Sequence, residues 1–288
     1  MRGPCAAAVL LLSACLAGAE PDYFAPEAVA AFAEHLFLEG DFLRAGYEYE
    51  RYLFAKIPEG DSLAAAHERA GRAFRCGGDF GRALGHFRAG FEAAAAEADR
   101  ERAAAEIGLT YLHLDDAAGS LRFLQQQPGW EASVQLRRLA AGDLILLGRW
   151  EEALGALGGH PDAEVEQLRA LARRGAAMNR KSPALAAVLS SVVPGAGKMY
   201  AGEFGDGVQS LLLVGALAAL SIVSFHDEGV QSWRGWLYVS MGGLMHAGNI
   251  YGSAVSARRY NQKQQETLRE DLKALLPACP PGASADAR

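Results

Sequence analysis

An uncharged stretch in the second half of the chain limits the folds that are open to it. Between Gly207 and Phe225 no side chain is charged, and leucine, valine, alanine and isoleucine dominate. About 20 apolar residues of helix cross a hydrocarbon core, and this stretch is close to that length. A helix that is apolar on every face is either a buried core helix or a membrane span.

A second segment, Trp233 to Val255, helps to decide between these two. It contains no acidic residue, and aromatic residues at its start and basic residues beyond its end are typical of an interfacial belt and a cytoplasmic flank. These residues are Trp233, Trp236 and Tyr238 at the start, then Tyr251, Arg258 and Arg259. Two such segments in tandem favour a membrane hairpin over a soluble core.

The amino terminus has the pattern of an export signal. Met1-Arg2, an uncharged run and then small residues describe a secretory signal peptide. Two cleavage sites compete: residues 12–15 (LSAC) resemble a bacterial lipobox in which Cys15 would be lipidated, and residues 17–19 (AGA) fit ordinary signal peptidase. Because a chain with its own membrane hairpin gains little from a lipid anchor, we favour a signal peptide over residues 1–19.

Charge and cysteine content exclude several classes of function. A formal net charge of −6 excludes a generally basic nucleic-acid binder, so no nucleic-acid partner is predicted. Cys76 and Cys279 remain after cleavage, far apart and in contexts of different type, so a disulfide is open but not expected. There is no CxxC and no Cys/His cluster with the spacing of a metal site, and no metal or other cofactor is predicted.

Residues 20–175 show helical periodicity and a recurring pattern. In each copy a small residue is followed three positions on by an aromatic residue or leucine, and then by Gly-x-aromatic-x-x-Ala. The turn positions are Gly40, Gly78, Asp115 and Gly148, with spacings of 38, 37 and 33 residues. The small residues are Ala33, Gly71, Gly108 and Ala141, and the final alanine positions hold Ala45, Ala83, Ser120 and Ala153. The third copy is degraded.

This pattern resembles the tetratricopeptide repeat family, with Asp162 to Arg174 as the capping helix. The resemblance implies a solenoid of helix pairs that binds a peptide or partner protein in its groove. The alternative is a spacer whose groove packs on the rest of the same molecule. Charged residues of this region are most simply interpreted as solvated helix faces: Glu48, Glu50, Arg51, Arg69, Arg72 and Arg75.

A glycine-rich motif follows a short apolar helix that is predicted to start at Ser182-Pro183. Residues 194–202 read PGAGKMYAG, which resembles the PGxGxxYxG signature of two-helix membrane domains of the TM-two type in bacterial envelope proteins. The motif residues are Pro194, Gly195, Gly197, Tyr200 and Gly202. Their glycines allow a sharp turn and close helix contact, and Tyr200 would anchor at the interface. A phosphate-binding loop is rejected, because Val192 stands where its first glycine belongs and Met199 replaces its Ser/Thr.

A stripe of small residues lies on the second hydrophobic segment. Gly248, Gly252 and Ser256 are spaced for close helix packing, against the Gly207–Phe225 helix or against a second copy of the chain. We favour the first, and a homo-oligomer through the membrane helices stays open. His246 and Asn249 are polar at membrane depth, where a helix-to-helix hydrogen bond is expected.

The orientation signals conflict. Export places the repeats outside the cytoplasm, whereas the positive-inside rule places Lys198, Arg258 and Arg259 inside it. Three crossings, with Ser182–Gly197 as a short first span, satisfy both, and we prefer them to a two-crossing hairpin. The membrane-embedded domain is predicted over residues 176–260, followed over residues 261–288 by a polar helix (Gln262–Leu276) and a disordered tail.

The sequence therefore predicts an all-α protein, a repeat solenoid followed by a small helical membrane domain. The predicted function is a non-enzymatic scaffold or adaptor that is anchored in the bacterial envelope, at the inner membrane, with its repeats outside the cytoplasm. The alternative is a subunit of a small channel or of a transport or insertion complex. An enzyme is least supported, because the seven histidines are scattered and neither HExxH nor GxSxG occurs.

Overall fold

The computed structural model describes residues 22–55, 61–159 and 162–279. Within these ranges the chain forms thirteen α-helices and no β-strand, which confirms the predicted all-α class. The predicted signal peptide, the lipidation candidate Cys15 and the tail after Cys279 lie outside the described residues.

The chain divides into two compact units. Of the described residues, the amino-terminal unit contains those up to Val165 together with Leu276–Cys279, and the carboxy-terminal unit contains Glu166–Leu275. In chain order the helices are α1 Pro26–Leu38, α2 Phe42–Ala55, α3 Asp61–Cys76, α4 Phe80–Ala93, α5 Glu97–His113, α6 Ala117–Gln125, α7 Val134–Leu146, α8 Trp150–Leu157, α9 Ala163–Ala176, α10 Pro183–Val192, α11 Ala196–Ala201, α12 Phe204–Glu228 and α13 Trp233–Leu275.

The amino-terminal unit contains four helix pairs, and in each pair the same type of turn connects the first helix to the second. The first helix of each pair is followed by a residue with positive φ: Gly40 (84°), Gly78 (83°), Asp115 (60°) and Gly148 (74°). The N–H of that residue bonds the carbonyl three positions back, and the next N–H bonds the carbonyl five positions back. This is the Schellman arrangement. The positions predicted as turns therefore share one backbone geometry, and each second helix begins two residues later.

Small residues bring the two helices of each pair into contact. Ala45, Ala83, Ser120 and Ala153, one from each second helix, are completely buried. In the first helices, a Cβ on Gly71 would lie 2.7 Å from the Phe87 ring and a Cβ on Gly108 would lie 2.9 Å from a Leu124 methyl group. Aromatic side chains such as Phe74 and Phe87 then fill the space between the helices. The recurring small positions are thus sites of close packing.

One carboxyl group lies in this apolar interior. Asp143 of α7 is completely buried, and neither of its carboxyl oxygens has a hydrogen-bond partner of normal geometry among the described residues. Burial raises the pKa of Asp143 well above its ordinary value; the Ser120 hydroxyl lowers this pKa by less, and the charge of Asp116 raises it further. The folded protein therefore holds a proton on Asp143 more tightly than the unfolded chain does.

We expect Asp143→Asn to remove a pH dependence from the melting temperature. Because the folded-state pKa is raised, the stability of the natural protein falls as the pH rises from the ordinary aspartate pKa toward the raised one, and the variant lacks this dependence. Thermal melts of the full chain in detergent, from about pH 5 to about pH 8, measure it. Glu151→Gln, the same charge change on an exposed site of α8, is the control. A pH dependence unchanged in Asp143→Asn would contradict the assignment.

In the carboxy-terminal unit, helix α10 begins where the sequence predicts. The Ser182 hydroxyl accepts the Leu185 N–H at 3.3 Å, and Pro183 is the first helical residue. Among the described helices, α12 is the one that is long and apolar enough to cross a membrane, and α10 is too short. The second predicted membrane segment, Trp233–Val255, does not meet the same test, because glycines, serines, His246 and Asn249 make it less apolar.

Helix α13 corrects a predicted boundary. The second hydrophobic segment and the polar helix predicted over Gln262–Leu276 form one continuous helix of 43 residues. From Ser253 to Leu276 there is neither proline nor glycine, so nothing interrupts the backbone hydrogen bonds until Pro277 follows. The region predicted as tail also differs from expectation, since Pro277–Cys279 is an ordered part of the amino-terminal unit.

Candidate functional site

A short segment of the chain lies on the helix pairs of the amino-terminal unit. This segment, Leu276–Cys279, is joined to the end of α3 by a disulfide between Cys279 and Cys76, whose Cα atoms are 4.8 Å apart. The expectation that these cysteines would stay unpaired is wrong, because the fold brings together residues separated by 203 positions. The sequence held one signal for the pair: two cysteines remain in a chain predicted to be exported.

Arg75 binds the main chain of this segment. Its Nε donates to the Ala278 carbonyl at 2.8 Å, its guanidinium is ion-paired with Glu106, and its Cζ lies 5.1 Å from the centre of the Phe87 ring. Only 4% of the Arg75 side chain is exposed, so its interpretation as part of a solvated face is wrong. Burial lowers the pKa of Arg75 and Glu106 opposes this change. The guanidinium remains a charged donor.

His113 makes a second contact to the same segment. Its Nε2 donates to the Leu276 carbonyl at 2.9 Å, and its ring stacks on Phe80 with a centroid distance of 5.6 Å. The Leu276 side chain is buried. Stacking fixes the plane of the imidazole, and the hydrogen bond fixes Nε2 as the protonated nitrogen in this arrangement.

The contacts come from equivalent positions of consecutive helix pairs. Cys76 stands two residues before the turn residue Gly78, and His113 stands two residues before the turn residue Asp115. The segment therefore crosses the carboxyl ends of α3 and α5. Both hydrogen bonds go to peptide carbonyls, which every polypeptide carries, so these two contacts do not depend on which side chains the segment has.

Ion pairs between α3 and α5 hold the donors in place. Arg72 Nε lies 3.2 Å from Glu106 Oε1, and Arg102 Nη1 lies 3.4 Å from Glu68 Oε2. Each pair joins residues that are 34 positions apart. Glu106 thus binds both Arg72 and Arg75, which orients the Arg75 guanidinium toward the segment. Within the described ranges, no group of three or more His, Cys, Asp or Glu side chains is placed to hold a metal ion.

The glycine motif of the carboxy-terminal unit forms close backbone contacts. Gly195 has a φ of 86°, and a Cβ there would lie 1.9 Å from the Gly207 carbonyl oxygen. A Cβ on Gly197 would lie 1.9 Å from the Ala186 carbonyl oxygen, and the Gly197 N–H donates to Ser190 Oγ at 2.9 Å. Helices α10, α11 and α12 therefore meet at two positions that have no room for a side chain.

The other motif residues lie around these contacts. Pro194 lies in the turn between α10 and α11, and Gly202, with φ of 98°, ends α11. The Tyr200 hydroxyl accepts the Ser182 N–H at 3.1 Å, and Lys181 Nζ lies 4.8 Å from the centre of the Tyr200 ring. Tyr200 thus ties the start of α10 to α11.

The predicted small-residue stripe does not pack closely on α12. No heavy atom lies within 4 Å of a Cβ built on Gly248, the nearest to Gly252 is Lys198 Cε at 3.6 Å, and Ser256 donates to Glu203. The glycines of α13 that contact α12 are Gly235, where a Cβ would lie 2.5 Å from the Phe225 ring, and Gly242, 3.5 Å from Leu217 Cβ. These two glycines are seven residues apart, which is the repeat of contact positions between two paired helices. This spacing was the sequence signal for the α12 contact that the prediction missed.

The two polar residues expected to bond between helices behave differently. His246 Nε2 donates to the Ser191 carbonyl of α10 at 3.3 Å. The Asn249 side chain is buried, and neither its oxygen nor its nitrogen has a hydrogen-bond partner among the described residues. A hydrogen bond from Asn249 to another helix was expected and is not formed.

Comparison with protein-family models, with curated proteins and with solved structures finds no match to this chain.

Proposed function

We propose that this protein is a membrane-anchored adaptor of the bacterial envelope, in which the helix pairs hold an extended segment of a partner protein. The proposal has three parts: a repeat solenoid, a membrane anchor and a compartment outside the cytoplasm. The observation that carries it is the Leu276–Cys279 segment, held on α3 and α5 by its main-chain carbonyls.

The solenoid is supported by equivalence between the helix pairs. Four turns share the Schellman hydrogen bonds at the positions predicted from the tetratricopeptide-like pattern. Two ion pairs, Arg72–Glu106 and Glu68–Arg102, join the first helices of two consecutive pairs, α3 and α5. A stack of such pairs exposes equivalent positions in a row, which suits the binding of an extended chain.

The membrane anchor is supported by the exposure of α12. Only 11% of the most apolar 18-residue stretch of α12 is buried inside the protein, whereas the core helix of a soluble protein is mostly buried. Its exposed side chains include Leu212, Leu220 and Ile222, and α13 exposes Trp233 and Leu244. A pair of helices with such surfaces is stable when lipid covers them.

The compartment is supported by the disulfide. Disulfides persist in oxidising surroundings such as the bacterial periplasm and are rare in the cytosol. Cys76–Cys279 joins two residues of the amino-terminal unit, which the export signal would also place outside the cytoplasm. The two observations favour the same side of the membrane.

The adaptor function is tested with a peptide in place of the tethered segment. The chain is truncated after Leu275, and a fluorescent peptide with the sequence of residues 274–279 is added, with serine for Cys279. We expect saturable binding by fluorescence anisotropy, weakened about tenfold by Arg75→Ala because a charged hydrogen bond is lost. Arg44→Ala, a change of an exposed arginine on α2, should leave it unchanged. Equal binding by both variants would refute the proposed contact.

A second measurement asks whether another protein uses the same face. A photo-reactive amino acid replaces Arg72 in the truncated chain, which is then cross-linked in intact membranes with and without an excess of the peptide. A cross-linked protein that disappears in the presence of the peptide supports an adaptor. If every cross-link persists under competition, the face holds only the chain's own segment, and the spacer alternative is correct.

A further inference from the structure

A cavity of about 360 Å³ lies in the carboxy-terminal unit, between the glycine motif and helices α12 and α13. Its polar lining comes from Lys198, Asp206, Gln209, Ser210 and Asn249. Most of these residues lie in the first turns of α12, before its apolar run begins at Leu211. The cavity is therefore at the level where polar surface gives way to surface suited to hydrocarbon.

Asn249 shows that this cavity is built to hold a polar group. Asn249 is 5% exposed as a whole residue, and its two amide atoms have almost no accessible surface and no hydrogen-bond partner among the described residues. Leaving a buried amide unpaired costs about 1–3 kcal/mol. A ligand in the cavity removes this cost when the amide turns toward it, so that the Asn249 nitrogen donates to the ligand and the oxygen accepts from it.

The cavity offers charges of both signs. Lys198 Nζ donates to Ser210 Oγ at 3.1 Å, which uses one of the three N–H groups of an ammonium. The Asp206 carboxylate lines the same cavity. The Ser210 hydroxyl donates to the Asp206 main-chain carbonyl at 2.8 Å, so Lys198 is the donor left for an anionic group. A cationic group with N–H donors suits the Asp206 carboxylate.

The remaining wall is apolar. Leu213, Val214 and Met245 line the cavity on the side of the apolar run of α12. Gly248 leaves this part of the cavity open, because no atom of another described element lies within 4 Å of a Cβ built there. An amphipathic molecule fits this arrangement, with its charged end at Lys198 and Asp206 and its hydrocarbon against these side chains.

We propose that this cavity binds the headgroup of a phospholipid that carries a primary amine, with the phosphate at Lys198 and the ammonium at Asp206. Asn249 binds the same headgroup through its amide. This inference rests on the membrane anchoring proposed above. It assigns to the unit a defined lipid site in addition to general contact with the bilayer.

The test measures lipid binding to the full chain in mild detergent, by native mass spectrometry and by the shift in melting temperature. Phosphatidylethanolamine should bind about tenfold more tightly than phosphatidylcholine, because the quaternary ammonium has no N–H for Asp206. Asp206→Asn should remove this preference. Equal affinity for the two lipids in the natural protein would overturn the assignment of the ammonium to Asp206.

A matched pair of variants tests the location. Gly248→Phe fills the cavity, whereas Gly243→Phe places the same side chain on another open face of α13. The first should abolish lipid retention and the second should preserve it. If Gly248→Phe does not fold, Asn249→Leu serves instead. In lipid-free detergent, the melting temperature of this variant should equal or exceed that of the natural protein. Added lipid should no longer raise it. Retention of lipid by these cavity variants would refute the site.

Two controls distinguish a lipid ligand from a free metabolite, and a wrong lipid site from a wrong membrane anchor. Soluble phosphoethanolamine has the same headgroup without acyl chains and should bind far more weakly; equal binding would mean that the site takes a free metabolite and not a lipid. Extraction of membranes with alkaline carbonate tests the anchor itself. A chain released by carbonate overturns both proposals, whereas a chain that stays in the membrane but shows no selective lipid overturns this one alone.

Discussion

Replacing Gly197 by alanine is expected to disrupt the carboxy-terminal unit. The new Cβ would lie 1.9 Å from the Ala186 carbonyl oxygen and 2.7 Å from the Ala186 carbonyl carbon, and backbone atoms inside a helix cannot move aside as a flexible side chain does. Gly195→Ala should act similarly, since its Cβ meets the Gly207 carbonyl oxygen and its φ of 86° disfavours any other residue. We expect a loss of about 3 kcal/mol or more.

Thermal melts of the full chain in detergent, followed by size-exclusion chromatography, measure this loss. Gly205→Ala is the matched control, because Gly205 lies close to the motif and nothing is within 4 Å of a Cβ there. The melting temperature of the control should equal that of the natural protein or lie slightly above it, because alanine favours a helix more than glycine does. Equal melting of Gly197→Ala and Gly205→Ala would show that α10 and α11 are not in the described contact.

Removing the disulfide is the second change expected to have a large effect. The bond links residues 203 positions apart, so it restricts the unfolded chain strongly. Loss of a native disulfide costs about 2–5 kcal/mol. We expect Cys76→Ser to lower the melting temperature of the full chain and to leave Leu276–Cys279 held by hydrogen bonds and the burial of Leu276 alone.

Two measurements check this expectation. A maleimide should label Cys279 quickly in Cys76→Ser and only after reduction in the natural protein. A reductant should lower the melting temperature of the natural protein and leave that of the Cys76→Ser/Cys279→Ser double variant unchanged. Natural protein that melts at one temperature with and without reductant would contradict a stabilising role for the bond.

The turns of the helix pairs could be predicted because their cause is local. A Schellman turn needs a residue at positive φ, glycine adopts it most readily, and helix caps follow at fixed distances. Even the degraded copy at Asp115 kept the turn, since short polar residues tolerate this conformation. The start of α10 at Ser182-Pro183 was predicted by the same kind of rule.

The candidate site could not be predicted in this way. Arg75 is buried because Ala278 and Glu106 lie against it, and nothing within its own helix indicates either partner. The pairing of Cys76 with Cys279 depends on where the chain returns after α13. The favoured packing of the small-residue stripe on the Gly207–Phe225 helix was wrong for a related reason: a spacing of four marks one face of a helix, but it does not say which neighbour that face meets.

Because α13 is continuous, its length can be compared with the thickness of a lipid bilayer. At about 1.5 Å per residue, its 43 residues span about 65 Å, more than twice the hydrocarbon thickness of about 30 Å. Under the membrane anchoring proposed above, with Trp233–Val255 in the bilayer, the part from Ser256 to Leu275 would extend about 30 Å beyond it. Each residue inserted into or deleted from that stretch would then move Leu275 by about 1.5 Å along the helix axis and rotate it by about 100° around that axis.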